Sequence, residues 1–279
     1  MSLMLKLLAT ALLLSSLLEA ATTEAALEKF LEKSFSQNPT IVKLDVKVEQ
    51  TIPLEKVKGW NGYIVKVKAS VRTKNGTRRD VTQKMVWFSN GQTISPDLID
   101  IKTGASLKED VAPSFELKDY KKENLIYGNA DAKHRVAIFS DPLCPFCRNF
   151  VPKAIEFMKK DPKNFAVYYY HFPLPSLHPA AVELVKAAVA AELQGKKDVV
   201  LSLYKVNVDA KEKDINKILS AFNETMKTNI TPSDLKSEAV LEHIKSDLDI
   251  AEALMVNGTP TMFFDDKLDK TKKKYEKAN

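Results

Sequence analysis

The chain has 279 residues and two cysteines, Cys144 and Cys147, which are separated by two residues. They follow a short apolar run, residues 136–139, and a turn at Asp141-Pro142, and they begin a segment with helical spacing. A buried-type strand that leads into a C-x-x-C sequence at the start of a helix is typical of a dithiol redox centre. The sequence therefore predicts that these two residues exchange thiols for disulfides.

The start of a helix gives the two sulfur atoms different roles. Free backbone N–H groups and the positive end of the helix dipole stabilise an anion there. We therefore expect Cys144 to exist largely as the thiolate, which is the nucleophilic form. Cys147 lies one turn further on and is expected to attack a mixed disulfide formed at Cys144 and to release the substrate. Pro145 fits an early helical position because it has no N–H to lose.

The C-x-x-C sequence uses both cysteines, so none remains for a structural disulfide elsewhere in the chain. An exported protein that relied on disulfides for stability would have more of them. A zinc site needs four ligands, and the only histidines left to provide them are not at ligand spacing: His134, His171, His178 and His243. No metal or organic cofactor is expected. A static disulfide without turnover is the alternative, but the spacing and the flanking residues favour redox chemistry.

Residues 1–20 are predicted to be a secretory signal. Lys6 precedes an apolar stretch over residues 7–18, and Leu18-Glu19-Ala20 offers a cleavage site with small residues. An uncleaved membrane anchor is the alternative, but this stretch is shorter than the ~20 apolar residues that span a bilayer. The mature protein is therefore expected to be exported.

The net charge of +6 does not indicate a nucleic-acid partner. Residues 267–279 carry six lysines against Asp269 and Glu276, a balance of +4 that accounts for most of the excess. Tyr275 is the only aromatic residue among them, too few for the stacking surface that binds single strands. We expect this segment to be a solvated tail.

An N-terminal α+β domain is predicted over residues 21–104. Helical spacing over residues 23–36 is followed by alternating apolar runs at residues 41–48, 63–71 and 78–88, with turns at Asn75-Gly76 and Asn90-Gly91. The domain contains no cysteine or histidine, so it is interpreted as a packing or dimerisation module. Residues 105–124, interrupted by Pro113, are predicted to be a linker.

The domain over residues 125–279 alternates strands with helices. The strand before the cysteines is followed by a helix to about Lys160, with Pro152 inside it, and by a strand over residues 165–172. Residues of about 176–255 have helical signals almost throughout, and residues 259–264 return to a strand. This order predicts a thioredoxin-like domain with a helical insertion, so the whole chain is assigned to the α+β class.

Residues 126–264 resemble the catalytic domain of DsbC/DsbG-type periplasmic disulfide isomerases. The resemblance rests on the sequence of residues 141–147, on Phe172-Pro173-Leu174 with His178-Pro179, and on Gly258-Thr259-Pro260-Thr261. Before the linker, residues 90–93 and 98–101 resemble the end of the family's dimerisation domain. The resemblance thus covers most of the chain that follows the predicted signal.

The resemblance implies a periplasmic homodimer, joined by its N-terminal domains, that binds unfolded or misoxidised exported proteins in a shared cleft. It assigns the attacking thiol to Cys144 and the resolving thiol to Cys147. It also implies that Thr259 and Pro260 form a Thr-cis-Pro pair that faces the cysteines and binds the client backbone. The implied substrate-binding residues are Thr259, Pro260, Pro145 and Phe146. A membrane redox partner, either a DsbD-like reductase or a DsbB-like oxidase, is expected.

The sequence departs from the family at several positions. The further cysteine pair of DsbC-type proteins is absent, so the DsbG pattern is nearer. Ile138 stands where thioredoxin and DsbA have a buried carboxylate, six residues before the first cysteine, and Asp141 is the nearest acid. Which group receives the proton of Cys147 is therefore open. The residues after Phe264 give little support for the strand and helix that usually close this fold.

Three functions remain open from the sequence. A disulfide isomerase or reductase is favoured by Thr259 and by the dimer-type N-terminal domain. A DsbA-like dithiol oxidase is favoured by Pro145, which oxidases share. A dimeric holdase chaperone with secondary redox activity is the third. The reduction potential that would separate the first two does not follow from the sequence.

Overall fold

The computed structural model describes residues 23–73 and 75–278, except for the side chain of Glu109. The predicted signal, residues 1–20, lies outside these residues. The chain divides into two compact units, of which the first ends at Ala112 and the second begins at Pro113. This division falls inside the segment predicted as a linker. Among the helices of the described residues, none is both long enough and apolar enough to cross a membrane.

The first unit consists of an antiparallel sheet with a helix packed on it. Helix α1 (residues 23–35) places Leu27 and Leu31 against Val46 and Val65 of the sheet. Both predicted turns are present, with Gly76 and Gly91 at positive φ, a conformation that glycine adopts without steric cost. The strands lie in the order β1-β2-β3-β4: β1 (Ile41–Pro53), β2 (Asn61–Arg72), β3 (Arg78–Ser89) and β4 (Ile94–Ser95). The one-turn helix α2 (Lys108–Val111) follows β4.

The second unit is built on a five-stranded sheet in the order β5-β7-β6-β8-β9. Strands β6 and β7 are parallel, and the other neighbours are antiparallel. The strands are β5 (Leu125–Tyr127), β6 (His134–Ser140), β7 (Phe165–His171), β8 (Thr261–Phe264) and β9 (Lys267–Leu268). The helices are α3 (Pro145–Lys159), α4 (Pro179–Leu193), α5 (Val199–Leu203), α6 (Ile215–Met226) and α7 (Glu238–Ala253).

Both faces of the second sheet are covered by helices. Val136 and Ile138 of β6 point into the core that contains α3, whereas Ala137 and Phe139 point into the core that contains α7. Burial on both faces explains why β6 is a continuous apolar run rather than an alternating one. The strand ends at Ser140, so the chain emerges from the sheet directly before the two cysteines.

The helices between β7 and β8 form the predicted helical block. Helix α4 is apolar on nearly every side, and it packs with α6 and α7 around a core of its own. The α+β class predicted from the sequence is confirmed, as are the helix that follows the cysteines and the strands on either side of it.

The prediction of a solvated tail after Phe264 is wrong. Strand β9 and a 3-10 helix (Lys274–Lys277) close the second unit, and Tyr275 is only 4% exposed. Asp269 is buried and accepts hydrogen bonds from the backbone N–H groups of Thr271 and Lys274. A carboxylate that accepts hydrogen bonds from nearby backbone N–H groups stabilises a turn. Such a turn needs no apolar periodicity in its sequence. The lysine-rich composition of this segment gives no indication of the arrangement.

Candidate active site

Cys144 begins helix α3. Its backbone is extended (φ −68°, ψ 122°), and Pro145 occupies the first turn. The carbonyl of Cys144 accepts a hydrogen bond from the Arg148 N–H at 3.0 Å, while its own N–H donates to the Asp141 carbonyl at 3.2 Å. Both cysteines are free thiols. The predicted position of the first cysteine at a helix N-terminus is therefore present.

Thr259 and Pro260 lie beside Cys144, although they are more than a hundred residues away in the sequence. The Cys144 Sγ atom is 3.7 Å from the Thr259 carbonyl oxygen. Strand β8 causes this proximity, because Phe139 of β6 pairs with Thr261 and so brings the residues before β8 to the end of β6. The Thr259–Pro260 peptide bond is cis, in agreement with the conformation that the family resemblance implies.

The two residues between the cysteines face solvent. Pro145 is exposed, and the Phe146 side chain is 76% exposed. The structure therefore exposes an apolar ring two residues after Cys144.

Cys147 is fully buried, and Cys144 is only 5% exposed. Burial raises the pKa of the Cys147 thiol to about 11, because the low-dielectric interior disfavours the thiolate. The hydroxyls of Ser140 and Thr259 and the backbone of Asp141 act in the opposite sense and lower the pKa. The Thr259 hydroxyl is itself buried and lacks a hydrogen bond of standard geometry. The two sulfur atoms thus occupy different environments, as distinct roles require.

Asp141, the acid nearest to the cysteines in the sequence, is the centre of a hydrogen-bond network. Its buried carboxylate accepts hydrogen bonds from the backbone N–H groups of Leu143 (2.7 Å) and Leu174 (2.8 Å). It also lies 2.9 Å from Nδ1 of His178, the residue that precedes α4. Because both oxygens are occupied, Asp141 joins the cysteine turn to residues 173–178. This contact gives His178 a structural role next to the cysteine turn.

Three residues near the cysteines were missed by the sequence analysis. Arg148 donates from Nε to the Pro142 carbonyl at 2.8 Å and from Nη2 to the Val206 carbonyl at 2.7 Å, so it connects both sides of the site. The Ser140 hydroxyl lies 2.6 Å from the Tyr204 hydroxyl. Arg148 directly follows the second cysteine, and this position could have marked it as a candidate site residue. Ser140 and Tyr204 had no signal, since their contact joins residues far apart in the chain.

The described residues offer no site for a metal ion. Across residues 23–73 and 75–278, no group of three His, Cys, Asp or Glu side chains is arranged to bind one.

Comparison with known proteins identifies the second unit. A family model described as thioredoxin matches residues 120–279, which is more than half of the chain. The chain is also 28% identical over 139 residues to the Na(+)/H(+) antiporter NhaA 1 of Mycolicibacterium vanbaalenii. That match covers 50% of this chain and 22% of the antiporter, so the chain spans about a fifth of the length of the curated relatives it matches.

Solved structures show similarity over slightly more than half of the chain. A thioredoxin-like oxidoreductase from Silicibacter pomeroyi is 24% identical, with a TM-score of 0.45, and the match covers 55% of this chain and 88% of that one. Oxidised BdbD from Bacillus subtilis is 21% identical, with a TM-score of 0.44, and the match covers 59% of this chain and 91% of that one.

Proposed function

We propose that this chain, which belongs to the thioredoxin family, is an exported thiol–disulfide oxidoreductase that acts on protein disulfides through Cys144 and Cys147. The observation that carries the proposal is the environment of the two sulfur atoms. Cys144 is 5% exposed, and its Sγ lies at a helix N-terminus, 3.7 Å from the carbonyl of Thr259, whereas Cys147, one turn further along the helix, is fully buried. A thiol at the helix N-terminus followed one turn later by a second, more deeply buried thiol is the arrangement that two-step exchange requires.

The first step is attack by the Cys144 thiolate on a client disulfide. A bond forms between Cys144 Sγ and one client sulfur, the client disulfide breaks, and the second client sulfur leaves as a thiolate. In the second step Cys147 loses its proton and attacks Cys144 Sγ, which forms the Cys144–Cys147 disulfide and releases the first client sulfur. Two electrons pass to the client, and the released sulfurs take up two protons. An external dithiol must then reduce the enzyme.

Isomerisation needs only the first step and its reversal. The thiolate released from the client attacks another of the client's disulfides, and a client thiolate finally displaces Cys144, so no net oxidation occurs. We propose this direction, in the manner of DsbC/DsbG-type proteins, because the chain couples the redox unit to a separate α+β unit without cysteines. Assembly into a homodimer and reduction by a membrane partner in the periplasm belong to the same proposal.

The client is proposed to bind beside Cys144, along the exposed residues Pro145 and Phe146. The apolar ring of Phe146 and the neighbouring Pro145 offer contact area without a charge that must be desolvated. The backbone next to Pro260 offers hydrogen bonds to an extended client segment. These features suit a protein chain of variable sequence rather than one small molecule.

Substitution of each cysteine tests the proposal. Cys144→Ala is expected to abolish the refolding of a scrambled multi-disulfide protein, because the attacking sulfur is lost. Cys147→Ala is the matched control, since it removes the other sulfur and retains the nucleophile. It is expected to keep part of the isomerase activity and to accumulate a mixed disulfide with the client. Gel mobility without reductant measures that species.

The same variants decide the direction of exchange. An oxidase needs both cysteines, so Cys147→Ala would abolish the oxidation of a reduced substrate as completely as Cys144→Ala. The wild-type protein could instead refold the scrambled substrate slowly and oxidise the reduced substrate rapidly. That result would make oxidation, rather than isomerisation, the function of this chain. Refolding by Cys144→Ala at the wild-type rate would exclude both enzyme functions and leave a chaperone.

A further inference from the structure

Three buried hydroxyl groups form a hydrogen-bonded chain beside Cys147. The Tyr169 hydroxyl lies 2.9 Å from the Tyr204 hydroxyl, which lies 2.6 Å from the Ser140 hydroxyl. Cys147 packs in the same buried cluster as both tyrosines, and the Ser140 hydroxyl lowers the pKa of its thiol. The three residues come from different elements: Ser140 ends β6, Tyr169 lies in β7, and Tyr204 directly follows α5. Neither step of the proposed exchange by itself requires tyrosine hydroxyls at this place.

The groups that face Cys147 come from every element packed around it. Cys144 lies on the same helix and disfavours the thiolate, while Ser140, the Asp141 backbone and Thr259 favour it. Burial raises the pKa values of both tyrosines, and the charge of a Cys147 thiolate raises them further. The groups around Cys147 act on the sulfur through hydroxyls and backbone, and the Asp141 carboxylate is hydrogen-bonded elsewhere.

The direction of the hydrogen bonds along the chain follows from counting protons. Each hydroxyl carries one proton, and among the described residues the hydroxyl of Tyr169 has only Tyr204 as a partner. With Cys147 as a thiolate, Tyr169 can donate to Tyr204, Tyr204 to Ser140, and Ser140 towards the sulfur, so all three hydroxyl protons are used. With Cys147 as a thiol there are four protons for these three links, so one proton needs an acceptor outside the chain.

We propose that Tyr204 is a positioning residue for the Cys147 thiolate: through Ser140 it directs a chain of hydroxyl protons at that sulfur. Hydrogen bonds in such a chain polarise one another, so the last donor is stronger than an isolated serine hydroxyl. The proton that Cys147 gives up goes to the client thiolate that leaves Cys144. This inference rests on the proposed function, because it concerns the second step of that exchange.

Reaction with a chromogenic aromatic disulfide, dithionitrobenzoate, separates the two steps. Cys144 attacks the reagent, releases one coloured thiolate and forms a mixed disulfide. Cys147 then attacks Cys144 Sγ and releases the second coloured thiolate. The first phase therefore reports the nucleophile and the second phase reports Cys147. Both are recorded on the reduced, full-length chain as a function of pH.

Tyr204→Phe is expected to raise the pH midpoint of the second phase. The second phase should slow roughly threefold for each pH unit of that rise. One unit removes about nine-tenths of the thiolate, and the more basic sulfur that remains is a better nucleophile, which recovers part of the loss. We expect a rise of about one unit. The first phase should keep its wild-type rate. Tyr170→Phe is the control, because Tyr170 follows Tyr169 in β7 but its hydroxyl donates to the Asp119 carbonyl, which is not part of the hydroxyl chain.

A double-substitution cycle tests whether Tyr204 acts through Ser140. Ser140→Ala alone should slow the second phase further, because it removes the donor in contact with sulfur and changes little volume. In the Ser140→Ala background, Tyr204→Phe should have no additional effect. Ser140→Ala also keeps the test decisive if Tyr204→Phe does not fold.

Two outcomes would overturn the inference. One is a second phase whose pH midpoint is unchanged in Tyr204→Phe or, if that variant does not fold, in Ser140→Ala. The other is an equal slowing by Tyr204→Phe in the presence and absence of Ser140. Failure of the proposed function would look different, since the wild-type protein would then lack the fast first phase altogether.

Discussion

The carboxylate of Asp141 is buried next to the cysteines, and its hydrogen bonds hold separate parts of the chain together. The Leu143 N–H belongs to the cysteine turn, the Leu174 N–H to the segment after β7, and His178 to the start of α4. Two of these donors are backbone groups that would otherwise be buried without a partner. An unsatisfied buried N–H costs about 1–3 kcal/mol, so this one side chain contributes both stability and the position of Cys144.

Asp141→Asn is expected to lower the free energy of unfolding by about 2 kcal/mol, because one oxygen becomes an NH₂ group that faces N–H donors. Denaturant titration measures the change. Asp209→Asn is the matched control, since Asp209 also accepts a backbone N–H, from Lys211, but at an exposed position. Its expected effect is within about 0.5 kcal/mol. Equal effects of the two substitutions would contradict the bonding role of Asp141.

At the scale of elements, the segment after β8 is part of the second core rather than an appendage. The Tyr275 ring contacts the ring of Phe157 in α3, with the centroids 5.4 Å apart. The Asn164 side chain donates to the Ala278 carbonyl at 2.8 Å and ties the end of the segment to the turn before β7. The segment therefore covers the end of α3 that lies away from the cysteines.

Tyr275→Ala is expected to destabilise the protein by about 3 kcal/mol, the usual cost of removing a buried aromatic ring. Thermal or denaturant unfolding measures it. Lys273→Ala, two residues earlier and exposed, should change the free energy of unfolding by less than about 0.5 kcal/mol. A neutral Tyr275→Ala would mean that the segment is a solvated tail after all.

For the whole molecule, the dependence of stability on pH is set by buried groups with opposing effects. Burial and the nearby His243 lower the pKa of His171 to about 3 from the ordinary 6.5. Between these values the unfolded chain binds more protons, so this group makes the protein less stable as the pH falls. Burial raises the pKa of Asp247 to about 8, despite hydrogen bonds from Asn124 and the His171 N–H, and its contribution has the opposite sign.

His171→Phe separates these contributions. Below pH 6.5 the variant should gain stability relative to the wild type by about 1.4 kcal/mol for each pH unit, because the cost of keeping the histidine neutral disappears. Its buried Nδ1 has no hydrogen bond to lose. Urea unfolding of both proteins at pH 7, 6 and 5 provides the comparison. Parallel curves for the two proteins would contradict a buried neutral His171.

Much of the fold followed from local patterns. The alternating run that became β2, the end of helix α3 and the turns at Gly76 and Gly91 were all predicted within a few residues. The fold after Phe264 was not, because Asp269 holds it through hydrogen bonds that leave no periodicity in the sequence. The roles of the site residues, the homodimer and the redox partner stay predictions.

By itself the sequence determined where the two sulfur atoms lie and which of them begins a helix, since the strand, the turn and the helix around Cys144 arise from neighbouring residues. Only the tertiary structure decided what surrounds Cys147. Ser140, Tyr169 and Tyr204 meet because separate elements pack together, and such contacts carry no spacing signal along the chain. The environment of a buried thiol is therefore a property of the packed fold, whereas the position of the motif is a property of the local sequence.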